Sequence, residues 1–93
     1  MPGINQIIEQ RGVLLEELGK MPGVTAFDSD SNYVLFRVAD AGQVWQGLYD
    51  RGVLIRDFSH SQYLENCLRV SVGSPEENQV FLDALAEILN ERS

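Results

Sequence analysis

The 93-residue sequence has one cysteine, one histidine, one tryptophan and one lysine, and the first two scarcities each remove a class of function. A single cysteine, Cys67, permits no internal disulfide, and a single histidine, His60, leaves no cluster spaced for zinc. Cys67 is expected to be a small buried residue at the start of a strand. Basic residues number seven against fourteen acidic ones, a net charge of -7. That is the wrong sign for neutralising phosphates along a nucleic acid, so no nucleic-acid partner is expected. No apolar run is long enough to cross a bilayer, so no membrane partner is expected either. The opening MPGINQ lacks the basic start, apolar centre and small-residue cleavage site of a secretory signal, which points to the cytoplasm. The eight glycines are scattered singly. Neither a phosphate loop of the Walker type nor a dinucleotide fingerprint can be built from them.

What is present is an ordinary globular composition, 44% hydrophobic and 23% charged. At this length it supports a single domain over residues 1–93. From Ile4 to Gly19, Ile4, Ile7, Ile8, Leu14, Leu15 and Leu18 recur near helical period, with Glu9, Gln10, Glu16 and Glu17 elsewhere. Gly19 suits a left-handed helix terminus, and Met-Pro-Gly then turns the chain into a short extended run, Val24 to Phe27. A polar turn is expected over Asp28 to Asn32. Tyr33 to Val38 alternates as a strand, with Val34, Phe36 and Val38 on one face and Tyr33, Leu35 and Arg37 on the other. Asp40 is placed to cap a second helix that buries Val44, Trp45 and Leu48 and stops at Gly52.

Val53 to Asp57 reads as a further strand, Phe58 to Asn66 as a surface loop, and Cys67 to Val72 as a strand with Leu68, Val70 and Val72 facing away from Arg69 and Ser71. Ser74-Pro75-Glu76-Glu77 carries a serine cap, a proline at the first helical position and the glutamate of a capping box. The helix it starts repeats Val80, Phe81, Ala84, Leu85, Ile88 and Leu89 on one face. Three one-sided helices need a common surface to cover. The expected fold is therefore an α/β two-layer sandwich, a sheet of three or four strands covered by about three helices, without internal repeat or linker.

Few side chains here suggest chemistry. His60 has only its neighbours Ser59 and Ser61 as local nucleophiles, and a solvated loop histidine explains it better than a nucleophile–base pair. Glu16-Glu17 read as a solvated helix face, and Glu76-Glu77 as helix N-terminal charge favoured by the dipole. Lys20 reads as a cation at a helix C-terminus. Of six arginines, Arg11, Arg37, Arg51 and Arg92 have surface explanations. Arg56 and Arg69 differ, because each interrupts an apolar strand. A guanidinium there requires an anion, and its planar fork grips a carboxylate or phosphate through two parallel hydrogen bonds. The pattern alone leaves three origins open: an external anion, an internal ion pair such as Arg56 with Asp57 or Glu65, or an exposed edge position.

Four segments, LGKMPGV (18–24), SNYVLFRV (31–38), GVLIRDFS (52–59) and CLRVSVGSPEEN (67–78), resemble in order and spacing the C-terminal part of class I/II, fold-type I aminotransferases. The histidinol-phosphate branch is the most similar, and CLRVSVGSPEEN is the most specific of the four. The resemblance covers nearly the whole chain. It implies the C-terminal small domain of a pyridoxal-phosphate transaminase of histidine biosynthesis, moving an amino group between histidinol phosphate and glutamate/2-oxoglutarate. It further implies that Arg69, and with it Arg56, grips the substrate phosphate or carboxylate, and that the intact enzyme is a homodimer. Lys20 does not resemble the family's cofactor-lysine segment. On this reading the chain holds no catalytic residue, binds no cofactor and does not transaminate by itself, its partner being a larger domain of the same enzyme. An independent α/β binding or regulatory module is the competing expectation, as is the same domain from another class I/II aminotransferase.

Overall fold

A computed structural model describes residues 3–27 and 32–92. The elements follow the expected order: helix α1 (Ile4–Gly19), strands β1 (Val24–Phe27) and β2 (Tyr33–Val38), helix α2 (Ala41–Asp50), strands β3 (Arg56–Asp57) and β4 (Cys67–Ser71), and helix α3 (Pro75–Glu91). The strands form one antiparallel sheet in the order β1-β2-β4-β3. The polar turn expected after β1 lies, apart from Asn32, outside the described residues. Among the described residues no helix is long and apolar enough to cross a membrane.

Period-2 alternation makes the sheet two-faced. Val34, Phe36 and Val38 of β2 and Leu68 and Val70 of β4 are buried, and the register sets Phe36 opposite Leu68 and Val34 opposite Val70. The helices lie over this face, contributing Leu14 and Leu18 from α1, Ala41, Val44 and Leu48 from α2, and Phe81, Leu82, Leu85 and Ile88 from α3. The rings of Phe36 and Phe81 meet at 5.8 Å between centroids and 59° between planes, the tilted geometry that aromatic quadrupoles favour.

Several local expectations are corrected. Gly19 is still helical and the following Lys20 is right-handed; the left-handed residue is Gly23, at φ 77°. There Met21-Pro22-Gly23-Val24 forms a turn closed by the Val24 N–H on the Met21 carbonyl at 3.3 Å, with proline and glycine at the positions a type II turn favours. Asp40 stands at the start of α2, but its backbone is left-handed (φ 56°, ψ 47°) and its side chain caps nothing. Side-chain capping requires an extended backbone. The Ala41 N–H instead meets Asn66 Oδ1 at 3.4 Å, so the loop before β4 supplies the cap.

The strand expected over Val53 to Asp57 shrinks to Arg56–Asp57 because the preceding backbone groups are engaged elsewhere. Gly52 (φ 80°) and Val53 donate to the Tyr49 and Leu48 carbonyls, closing α2 as a Schellman motif, and the Ile55 carbonyl accepts from Trp45 Nε1 at 2.7 Å.

Two helix faces also differ. Ile4 and Ile8 are exposed, at 78% and 53%, and Gln10 is buried in their place. In the first turns of α1 it is Ile7 that packs against the core. On α3, Val80 is 57% exposed whereas Asn78 and Leu82 are buried. The buried set 78, 81, 82, 84, 85 and 88 centres on a line about 120° around the helix from Val80. Asn78 selects that line: its amide donates to Gln10 Oε1 and the Gly73 carbonyl, both at 3.1 Å, and its oxygen accepts from the Gly73 N–H at 2.9 Å.

The capping box of α3 is present in full. Ser74 Oγ accepts from the Glu77 N–H at 3.2 Å and Glu77 Oε1 accepts from the Ser74 N–H at 3.0 Å. Those hydrogen bonds hold the Glu77 carboxyl below its usual range, against a smaller opposing effect of burial. Ser74→Ala is expected to lower unfolding free energy by about 1 kcal/mol, measurable by urea denaturation with an unchanged slope. A loss under a few tenths would show that the box does not hold this helix start.

Candidate anion site at the sheet edge

The site is generated by strand register. Antiparallel pairing of β3 with β4 sets Arg56 directly opposite Arg69. Directly opposed residues have Cβ atoms about 4.5–5.5 Å apart on one face, where like charges repel. Since Leu68 and Val70 face the core, Arg69 and Ser71 project from the other face. Arg69 is half-buried and Arg56 exposed.

The two arginines line one open concavity of about 490 Å³ at the β3 edge, together with Trp45, Leu54, Ile55, Asp57 and Ser71. Among the described residues no carboxylate forms an ion pair with either guanidinium, whereas Lys20 pairs with Glu16 and Glu17, and Arg51 with Glu87 and Glu91. Asp57 borders the concavity, but its Oδ1 accepts the Ser59 N–H at 2.8 Å. Burial acts to raise the Asp57 pKa. It is outweighed by the Ser59 hydroxyl and backbone hydrogen bonds and by the nearby His60, so the carboxyl titrates below its usual range. The internal pairs considered for Arg56, with Asp57 or Glu65, are not formed.

Arg69 is held by rings instead. Its Cζ lies 4.6 Å from the Tyr33 ring centroid and 5.2 Å from that of Phe58. Sequence reasoning assigned Tyr33 only to a strand face and Phe58 only to a loop. The available signal was the aromatic residue at each end of a strand adjoining β4, which has meaning only once the register is known.

The other candidates are placed away from this concavity or engaged. Arg51 ties α2 to α3 through Glu87 and Glu91, Arg37 donates to the Glu65 and Tyr63 carbonyls, and Arg92 donates to the Ala39 carbonyl at 2.6 Å. His60 is exposed, and no hydrogen bond joins it to a described serine or to Cys67. Cys67 is buried at the start of β4. Lys20 is exposed at the end of α1 and its pKa is raised, first by a hydrogen bond to Glu17 and then by the charges of Glu17 and Glu16. A lysine that forms a Schiff base needs the opposite, a lowered pKa in a desolvated pocket.

A family model described as "Aminotransferase class I and II" matches residues 4–85. The chain belongs to the class I and II aminotransferase family. Among curated proteins, histidinol-phosphate aminotransferase of Thermoanaerobacter sp. (strain X514) is 46% identical over 86 residues, covering 92% of this chain and 24% of that protein. The enzyme of the same name from Aquifex aeolicus (strain VF5) is 43% identical over 94 aligned residues, covering 100% of this chain and 27% of the relative. The chain spans about a quarter of the length of the curated relatives it matches. Among solved structures, L-threonine-O-3-phosphate decarboxylase from Porphyromonas gingivalis superposes with a TM-score of 0.85 at 26% identity, covering 96% of this chain and 29% of the other. Histidinol-phosphate aminotransferase from Clostridium acetobutylicum gives 0.86 at 24% identity over 95% of this chain and 28% of the other, a likeness of fold.

Proposed function

We propose that this chain is the C-terminal small domain of a histidinol-phosphate aminotransferase, and that Arg56 and Arg69 form the clamp for the acidic end of its substrates. The observation that carries the reading is two arginines set opposite one another in the register, lining one open concavity with no described carboxylate paired to either. Two like charges in that arrangement are relieved by an anion from outside, and a phosphate or carboxylate satisfies both forks through charge-assisted hydrogen bonds. Holding the acidic end fixes where the substrate amine sits, an effect of orientation in which neither arginine takes part in bond making. The same clamp accepts the phosphate of histidinol phosphate in one half-reaction and a carboxylate of glutamate or 2-oxoglutarate in the other.

Pyridoxal phosphate supplies the electron sink in this class of reaction. The residues of this chain do not fit its attachment: the one lysine of the sequence, Lys20, is exposed, ion-paired and raised in pKa. The cofactor lysine therefore belongs to a larger domain, and the 93-residue chain by itself does not transaminate. In this reading the intact enzyme is a cytoplasmic homodimer of histidine biosynthesis.

The test is a substrate comparison with the intact enzyme that contains this chain. Amino transfer from histidinol phosphate to 2-oxoglutarate is expected, with histidinol, which lacks the phosphate, raising KM about 100-fold through loss of the charge-assisted pair. Release of carbon dioxide from O-phospho-L-threonine without amino transfer would assign the chain to the decarboxylase branch instead. Equal KM values for histidinol and its phosphate would remove the clamp from the mechanism.

A further inference from the structure

We infer that Tyr33 and Phe58 are positioning residues that hold the Arg69 guanidinium by its two faces, leaving its edge N–H groups free for the incoming anion. The inference rests on the anion-clamp reading and adds the means by which one of the two arginines is preorganised. Tyr33 pairs with Ser71, two residues beyond Arg69 along β4, on the β2 side. Phe58 follows Asp57, the partner of Leu68, and its N–H donates to the Cys67 carbonyl at 3.1 Å. That places it two residues before Arg69, on the β3 side. The rings thus approach Arg69 from opposite neighbouring strands and opposite directions along β4, with centroids 4.6 and 5.2 Å from Cζ.

A guanidinium is planar, with all five donors at its edge and none on its faces. A protein carboxylate that fixed its position would occupy the edge and compete with substrate. Rings stabilise the cation through their quadrupoles, restrict its rotamers and leave every donor available. No described carboxylate pairs with Arg69, so the rings are its fixed partners. Arg56 is exposed, and no ring lies over it among the described residues. The pair is therefore unequal: Arg69 is a preset anchor, while Arg56 adjusts to the anion that arrives. An anchor with an adaptable partner suits a clamp that must accept both a tetrahedral phosphate and a planar carboxylate.

The Phe58 side of this arrangement depends on the loop start. The Asp57 carboxylate fixes the Ser59 N–H at 2.8 Å, so the backbone on either side of Phe58 is pinned, by β3 before it and by this turn after it.

The test uses the 93-residue chain and inorganic phosphate, followed by NMR of the arginine Nε–Hε resonances. In the parent chain, Arg69 Hε is expected to be displaced by ring currents while Arg56 Hε is not. Tyr33→Leu and Phe58→Leu should each abolish part of that displacement and weaken phosphate binding about three- to thirtyfold, the range one cation–π contact supports. Tyr33→Phe and Phe58→Tyr, which keep a ring, should restore both. An Arg69 Hε without ring-current displacement in the parent chain overturns the proposal without reference to any variant. Undiminished phosphate binding in both leucine variants, with binding lost in Arg69→Ala, overturns the ring clamp and leaves the anion site standing. Undiminished binding in Arg69→Ala removes the anion site itself, and the ring clamp with it.

Discussion

If Arg69 is half of the proposed clamp, Arg69→Ala in the intact enzyme is expected to lower kcat/KM for the phosphorylated substrate about 10²- to 10³-fold. A hydrogen bond to a charged group contributes about 1.5–3 kcal/mol, and a bidentate grip makes two, partly replaced by water in the variant; a net loss of about 3–4 kcal/mol corresponds to that factor. Arg69→Lys restores only part, because an ammonium cannot present two parallel donors. The domain itself should lose little stability. Removing one of two opposed like charges relieves roughly 0.2–1 kcal/mol of repulsion, and losing the contacts with Tyr33 and Phe58 costs about 0.5–1 kcal/mol each, a net loss of about 1 kcal/mol. A melting temperature near that of the parent alongside a hundredfold loss of activity would separate binding from folding. A phosphate monoester takes its second charge near pH 6, so the gap between parent and variant should widen as pH rises through about 6. A loss below threefold, or one independent of the substrate phosphate, would sink the assignment.

The second large effect concerns the core. Phe36→Ala removes a ring that is fully buried, opposite Leu68 in the register and tilted against Phe81 at 5.8 Å. Truncating a phenylalanine in such a position destabilises by about 3–5 kcal/mol, through lost transfer free energy and an incompletely filled cavity. A small domain has about 5–15 kcal/mol in all, so this one substitution consumes a large part of it. For a domain of this size each kcal/mol shifts the midpoint by about 4–8 °C, and a fall of about 15–30 °C in a thermal melt followed by circular dichroism is expected. Phe36→Leu, which fills more of the space, should cost less than half as much. A fall under 5 °C for Phe36→Ala would mean that the sheet and helices are not held together through this residue.

Much of the fold was legible because it is written in short-range chemistry. The element order, the alternation of β2 and β4 and the Ser74–Glu77 capping box depend on residues within a few positions of one another, where side-chain period and orphan backbone groups decide the outcome. Arg56 and Arg69 stood out for the same reason, as charges interrupting apolar strands. Expectations failed where a distant group supplied the partner. Asp40 does not cap α2 because its backbone is left-handed and Asn66 meets the Ala41 N–H, β3 does not begin at Val53 because Leu48 and Trp45 engage Val53 and Ile55, and Val80 is exposed where Asn78, bonded to Gln10, lies on the buried line of α3.

The candidate site divides along the same line. The residue types that could grip an anion, and the strands that carry them, were determined by the sequence itself, since a strand's period and a guanidinium's demand for an anion are local properties. That Arg56 stands opposite Arg69, that neither is neutralised by a described carboxylate, and that Tyr33 and Phe58 close on Arg69 were decided only by the tertiary structure. A shift of one residue in the pairing would move every side chain of β3 to the other face. That register is set by packing across the whole sheet and by the course of the 58–66 loop, which no local pattern encodes.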